Sequence, residues 1–572
     1  MAEADAKKET GDAGRSSSED VKPTNLPDDA ATSSSDDANT TNLPEKAVDA
    51  APSNDEPEEE QHEYISGFRL AAVMGSITLC GFLMLLDMSI LATAIPRITT
   101  EFHSLDDVGW YGAAYNLASA ALQPLTGKVY TYFKAKWVFI SCLFVFALGS
   151  LICGVATSST MLIVGRAVAG MGTSGIQNGA FTIISNSIPL EKRPPLLGVL
   201  IGGSQLGIVI GPLLGGAITE YSTWRWCFYL NLPACAVVAA ILVFVHIPER
   251  TIKVEHGLIK TVLSKLDLSG FALFAPAAIM FLLGLEYGGR TYPWRSATVI
   301  GLLVGSVATF VVFFVWEHRQ GEIAMFPLKM IRKREVWTSM LAGSLMLGCL
   351  TFVPSYYMPI YFQSVKGVSP FTSGVYVLPS ILSSVFFGII AGFAVSKLGY
   401  YLPFVLLCGT TGAIGSGLLS TLSPSTTTGQ WVGYQILVGV RGVGMQMPML
   451  AIQAVVPQSQ NSVAMALLVF AQTFGGAIFL TIAQSIFTDS LVSGLQAYTP
   501  TIDIERIVHA GASGFRDIIS ESDLPGVLLA YSDSIDKVMY LALASSVGIV
   551  AVGLGMGWHD IRKKEKPSPG AA

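Results

Sequence analysis

Charge is scarce in this chain. Of 572 residues only 13% are Asp, Glu, Lys or Arg, whereas 51% are apolar and the mean hydropathy is +0.53. Soluble domains carry about 25% charged residues, so the deficit excludes a string of soluble globular domains and points to a polytopic membrane protein. Cysteine is also sparse. Cys80, Cys142, Cys153, Cys227, Cys235, Cys349 and Cys408 all fall in or at the edge of apolar runs. None has metal-ligand spacing or calls for a disulfide. No Gly-x-x-x-x-Gly-Lys-Ser/Thr loop is present, which argues against ATP coupling, and no Ser/His/Asp constellation is visible in the loops. The chain therefore reads as a non-enzyme without cofactor or metal and without a nucleic-acid partner. Its expected partners are the lipid bilayer, a small-molecule substrate and protons, and it is expected to act as a monomer.

The charge that exists is unevenly placed. Residues 1–60 hold 17 acidic and 5 basic residues, a net of −12 against −6 for the whole chain, which leaves +6 for the remainder. That acidic segment is rich in Ser, Thr, Asp, Pro and Ala, so it reads as a disordered cytosolic tail over 1–66. It has no basic start and no apolar core, so it does not read as a cleaved signal peptide.

Apolar stretches of about 20 residues span a bilayer. Fourteen are expected, at 70–93, 109–130, 137–156, 161–184, 197–219, 227–247, 268–287, 297–316, 338–361, 371–395, 402–421, 430–452, 463–487 and 538–558. An even count puts both termini on one side. Basic loops at 131–137, 189–195, 248–267 and 317–337, together with the end segment 559–572, place that side in the cytosol. The stretch 488–537 is then a long external loop with short amphipathic helices on the membrane surface.

A weak repeat relates span n to span n+8. "LIVGRAVAGMG" (162–172) pairs with "LVGVRGVGMQM" (437–447), and "GPLLGGAI" (211–218) with "AQTFGGAI" (471–478). The organisation this implies is all-α: a six-helix bundle over 67–250, two linker helices and a cytosolic loop over 251–336, and a second bundle over 337–560 that carries the external loop. A tail over 561–572 follows. Two parallel six-helix repeats around a central site is a rocker-switch arrangement.

One carboxylate stands inside the first span. Between Arg69 and Arg97 the only charged residue is Asp87, in "LLDMSILATAIPRI" (85–98). An ionisable group at that depth is costly and is a functional candidate by default. It is expected in the outer half of the membrane, facing a central cavity, where a dry site would favour its protonated form. Arg166, about one turn into the fourth span, stays charged and so can influence a carboxylate such as Asp87 without carrying the proton. Gly207, Gly211 and Gly215 recur at i, i+4 and i+8, a stripe that permits close helix approach. Pro212 favours a bend beside them, and the stripe is expected at the interface between bundles. Polar and aromatic residues inside spans supply a cavity for an amphipathic molecule: Asn116, Gln123, Gln177, Gln205, Tyr357, Tyr361, Gln435, Gln446 and Gln472.

These segments together resemble the major facilitator superfamily, specifically its fourteen-span drug:proton antiporters. The Asp87 segment is similar to that group's first-helix motif, and "LIVGRAVAGMG" resembles its fourth-helix Arg motif. "GIVIGPLLGGAI" (207–218), which includes Gly216, resembles the antiporter motif, and "STWRWCFYLNLP" (222–233) the segment that opens the sixth helix. "YTYFKAKW" and "YYMPIYFQSVKGVSPFTSGVYVLP" (356–379) are most like fungal toxin-efflux carriers. The resemblance implies a major facilitator fold of fourteen helices and proton-coupled export of drugs, toxins or a secondary metabolite by alternating access. Asp87 and Arg166 would carry the proton coupling, in the plasma membrane with both termini cytosolic. The alternative it admits is a vacuolar carrier of basic amino acids or a siderophore carrier of the same fold. One position departs: the family's Asp in the loop between helices 2 and 3 falls at Thr131, so that charge link is absent, while Lys134 and Lys136 keep basic character.

Overall fold

The computed structural model describes residues 64–562, apart from 104–106, 249–264, 290–291, 322, 501, 505–506 and 508–513. The acidic tail, most of the basic 248–267 loop and residues 563–572 lie outside the described residues. Long apolar runs become helices because a backbone in lipid must satisfy its own hydrogen bonds.

The first six are α1 (Gly67–Phe102), α2 (Val108–Tyr132), α3 (Ala135–Gly154), α4 (Ser159–Ser187), α5 (Arg193–Tyr221) and α6 (Asn231–Phe244). α7 (Leu268–Tyr287) and α8 (Ala297–Gln320) follow. The next run is α9 (Arg334–Ser344), a π turn over Leu345–Thr351, and α10 (Phe352–Ser364). Then come α11 (Pro370–Leu398), α12 (Leu402–Leu419), α13 (Thr428–Gly439), α14 (Met447–Val455), α15 (Asn461–Tyr498) and α16 (Leu524–Gly553).

Local chemistry sets the ends. Ser158 caps α4 by accepting from the Met161 N–H at 3.2 Å, and Thr427 with Gln430 forms a capping box on α13. Gly399, at φ 85°, ends α11 in a left-handed turn.

Among the described residues, twelve helical segments are long and apolar enough to cross a membrane. α2 and α4, which coincide with two expected spans, are 25 and 29 residues long but more polar. The outer face of α8 is apolar, with Ile300, Val304, Val307, Val311 and Phe314 exposed, a surface that lipid would cover.

The expected external loop over 488–537 is shorter than the composition suggested. α15 continues to Tyr498 and α16 begins at Leu524. Leu491 and Leu495 are buried with Val527, Ala530 and Ile535, so residues 488–498 and 524–537 belong to two packed helices, while the stretch 503–523 expected to form surface helices lies partly outside the described residues. The apolar faces of the two packed helices bury against each other, which no local composition reveals.

At the end of the molecule bearing the basic loops, α1–α6 and α9–α16 close on each other. Arg193 Nη1 donates to Gln453 Oε1 at 2.8 Å, Gln458 Nε2 to the Ser185 carbonyl at 3.0 Å, and Thr182 Oγ1 to Ser462 Oγ at 3.3 Å. A Cβ on Gly392 would lie 2.7 Å from the Pro194 carbonyl, and one on Gly198 3.1 Å from that of Gly388. Glycine at these two positions lets α5 and α11 meet backbone to backbone.

Candidate functional site

Asp87 is not exposed to a cavity. Its relative exposure is 1%, and it sits among α1, α3, α4 and α6. Oδ2 accepts from Arg166 Nη1 in an ion pair. Oδ1 accepts from Asn231 Nδ2 at 3.0 Å, and the same Nδ2 lies 3.1 Å from Ser150 Oγ. The expectation of a cavity-facing carboxylate is thereby corrected: helices 3, 4 and 6 enclose it, and a buried charge persists only when paired and hydrogen-bonded.

Arg166 is equally buried and fully engaged. Its Nε donates to the Tyr111 carbonyl at 2.8 Å, and its guanidinium lies 4.4 Å from the centroid of the Tyr115 ring, an additional cation–π attraction. Thr173 Oγ1 donates to the Tyr115 hydroxyl at 2.7 Å. Gly170 makes this possible: a Cβ there would collide with the Tyr115 backbone, so only glycine allows α4 to approach α2 this closely. Asp87 and Arg166 stood out in the sequence, whereas Asn231 had no expected role. The signal was an amide within the apolar "YLNLPACAVV" run (229–238).

The glycine stripe of α5 faces a different neighbour from the one expected. A Cβ on Gly207 would strike the Phe82 carbonyl and lie 2.7 Å from the Leu86 nitrogen; one on Gly211 would strike Ser89. Ser89 Oγ donates to the Gly207 carbonyl at 2.9 Å. Gly207 and Gly211 therefore serve the α1–α5 contact within the first six helices, because the closed seam with α11 uses another face of α5, that of Gly198, Gly202 and Gln205. Gly215 is buried beside Pro212, and a Cβ on Gly216 would meet nothing within 4 Å.

The polar residues expected to line a cavity divide into three groups. Gln123 donates to Asn178 Oδ1 at 3.0 Å and so binds α2 to α4. Tyr361 donates to the Ser423 carbonyl at 2.8 Å, Gln435 to that of Tyr376 at 2.8 Å, and Tyr357 to Gln484 Oε1 at 3.2 Å, all among α10–α16 and their loops. Gln205 and Gln446 do come together, lining a small cleft on the seam with Ser384, Met445 and Gly388. Asn116 is exposed, and Gln177 and Gln472 are half-buried.

Lys136, one of the two bases retained after α2, donates to the Val243 and Val245 carbonyls at 2.7 and 3.0 Å and caps α6. Thr131 donates only within its own helix, to the Gly127 carbonyl at 3.1 Å.

Membrane-length helices that close on each other at one end around a cleft and hold a buried ion pair define a polytopic membrane transport protein. The chain belongs to the Major Facilitator Superfamily, whose family model matches residues 77–480. It is accordingly a transporter, not an enzyme. It is 56% identical over 508 residues to the MFS-type transporter pigP of Monascus ruber, covering 88% of this chain and 89% of that protein. It is 50% identical to the efflux pump mlcE of Penicillium citrinum, covering 89% of this chain and 94% of that protein. The crystal structure of the human organic anion transporter MFSD10 superposes with a TM-score of 0.53 at 13% identity, covering 84% of this chain and all of that one, a likeness of fold alone.

Proposed function

We propose that this chain is a proton-coupled antiporter that exports amphipathic small molecules by alternating access from the plasma membrane. One observation carries the reading: among the described residues of the first bundle a single carboxylate, Asp87, is buried, and it is held by Arg166 and Asn231. A proton delivered to Asp87 removes one half of the ion pair and frees Arg166 to re-form contacts with its helix neighbours. The packing of α1 against α4 and α6 thus depends on whether the proton is bound, which is what coupling requires.

Supporting the export direction, relatives of high identity are named efflux pumps. In this reading α2 and α4 complete a fourteen-span count, with α7 and α8 as the linker pair. The basic loops face the cytosol, so the seam seals the cytosolic side and the structure is outward-facing. Substrate would enter between the bundles, against Gln205 and Gln446, once that seam opens. The test is a panel of amphipathic compounds in proteoliposomes with an imposed pH gradient. Gradient-driven transport that is lost in Asp87→Asn supports the assignment, and undiminished transport in that variant rejects it.

A further inference from the structure

The strongest unassigned cluster lies where α7 begins and α8 ends, at the sealed end of the molecule. Asp267 occupies the left-handed region, at φ 48°, ahead of α7. Its Oδ1 accepts from the Gly270 N–H and from Trp316 Nε1, each at 3.0 Å, and its Oδ2 accepts from the Met325 N–H at 3.2 Å. Glu317, on the last turn of α8, accepts the Phe326 N–H on Oε2 at 2.8 Å, while its Oε1 is buried with no partner. Both carboxyl groups crowd the same glycine. A Cβ on Gly270 would lie 2.8 Å from Glu317 Oε1 and would strike Asp267 Oδ2. Two carboxylates in such contact repel unless one keeps a proton, which then satisfies the orphaned oxygen.

The third member comes from another part of the fold. Lys128 of α2 is 3% exposed, and its ammonium donates to the Ile323 carbonyl, within electrostatic reach of both acids. The turn 323–326 is therefore gripped by α2, α7 and α8 together. Its Phe326 ring packs against Phe274 and Phe313, with centroids 5.2 Å away in both cases, and against Phe470 of α15 at 6.2 Å. Beside it α15 touches α2 directly: a Cβ on Gly127 would lie 3.1 Å from the Ser462 carbonyl. The linker turn thus touches helices on both sides of the seam, and its Lys128 contact lies one helical turn from Thr131, whose hydroxyl bonds within its own helix.

We propose that the linker pair is the latch of the sealed end: Lys128 and a proton held on Glu317 against Asp267 keep the 323–326 turn against both bundles, and loss of that proton releases it. With the proton in place the two carboxyls carry one negative charge, which Lys128 neutralises. When the proton passes to water at that end, the buried cluster holds two negative charges against one positive, and the facing carboxylates repel. Of the other described charges nearby, Lys265, His318 and Arg319 are exposed, and α15 contributes the uncharged Phe470. The inference rests on alternating access but not on the role of Asp87.

The experiment uses the full-length chain in nanodiscs with spin labels at Lys192→Cys and Ser459→Cys, one on each side of the seam, read by pulsed electron resonance. No substrate or gradient is needed, so a failed latch leaves the transport reading standing. From pH 6 to pH 9 the long-distance population is expected to grow at least about fivefold. Glu317→Gln supplies the missing hydrogen without a titrating group and should stay closed at both values. Lys128→Met should be open at both, and Lys128→Arg should stay closed at pH 6. A pH response that survives Glu317→Gln, or a closed Lys128→Met, overturns the proposal.

Discussion

Arg166 and Arg441 occupy matching places in the two repeats, and their surroundings diverge. Arg166 meets a carboxylate, an aromatic face and a carbonyl. Arg441 is just as buried, yet it donates through Nη1 to Ser380 Oγ at 2.9 Å and the Val438 carbonyl at 3.2 Å, and its Nε has no partner. Among the described residues no carboxylate touches it. Packing, by contrast, repeats: Gly211 of α5 is pressed on Ser89 of α1, and Gly475 of α15 on Ser344 of α9. The two halves share a way of fitting helices together and differ in what charge they enclose. One half encloses an arginine paired with a carboxylate, the other an arginine held by a hydroxyl and a carbonyl; in the proposed mechanism only the first responds to a proton.

The comparison can be broken most directly at Asp87. Asp87→Asn leaves Arg166 uncompensated, a loss of about 3–5 kcal/mol for a broken buried pair, so proton-driven flux should fall about 100-fold or more in proteoliposomes. Asn231→Ala keeps the ion pair but removes a hydrogen bond to a charged group, about 1.5–3 kcal/mol, and flux should fall roughly tenfold. Gly211→Leu and Gly475→Leu probe what the halves share: each overpacks a helix contact at about 1–3 kcal/mol, and their thermal midpoints should drop by similar amounts. Arg441→Met should have the smallest effect, about 1 kcal/mol or less in either direction, since an apolar side chain of similar length replaces an unpaired charge. If Arg441→Met instead abolished pH-driven flux, the asymmetry between the halves would be refuted.

Much of this was legible beforehand. Apolar run lengths located the helices, since lipid imposes the length, and the isolated charge of Asp87 marked the place of interest. What escaped was relational. Nothing local says that Asn231 meets Asp87, 144 positions away, or that the α5 glycines face α1 and not α11, because periodicity gives a face without naming the neighbour. Asp267 and Glu317 stood at the ends of the basic loops 248–267 and 317–337 and were given no role. Only the folding of α7 beside α8 makes them face each other.

The π turn between α9 and α10 has a mechanical consequence. Over Leu345–Thr351 the helix carries a surplus residue, with Thr351 Oγ1 reaching back five places to the Met346 carbonyl at 2.8 Å. Within that turn, a Cβ on Gly348 would lie 2.7 Å from the backbone of Gly475 and Gly476. Expelling one residue from the turn would rotate everything beyond it by about 100°, one step of an α-helix. Tyr357 and Tyr361 ride on that segment. Such a slip at the Gly348 contact would swing both rings and break the bonds of Tyr357 to Gln484 and of Tyr361 to the Ser423 carbonyl, so the turn couples helix register to the aromatic contacts.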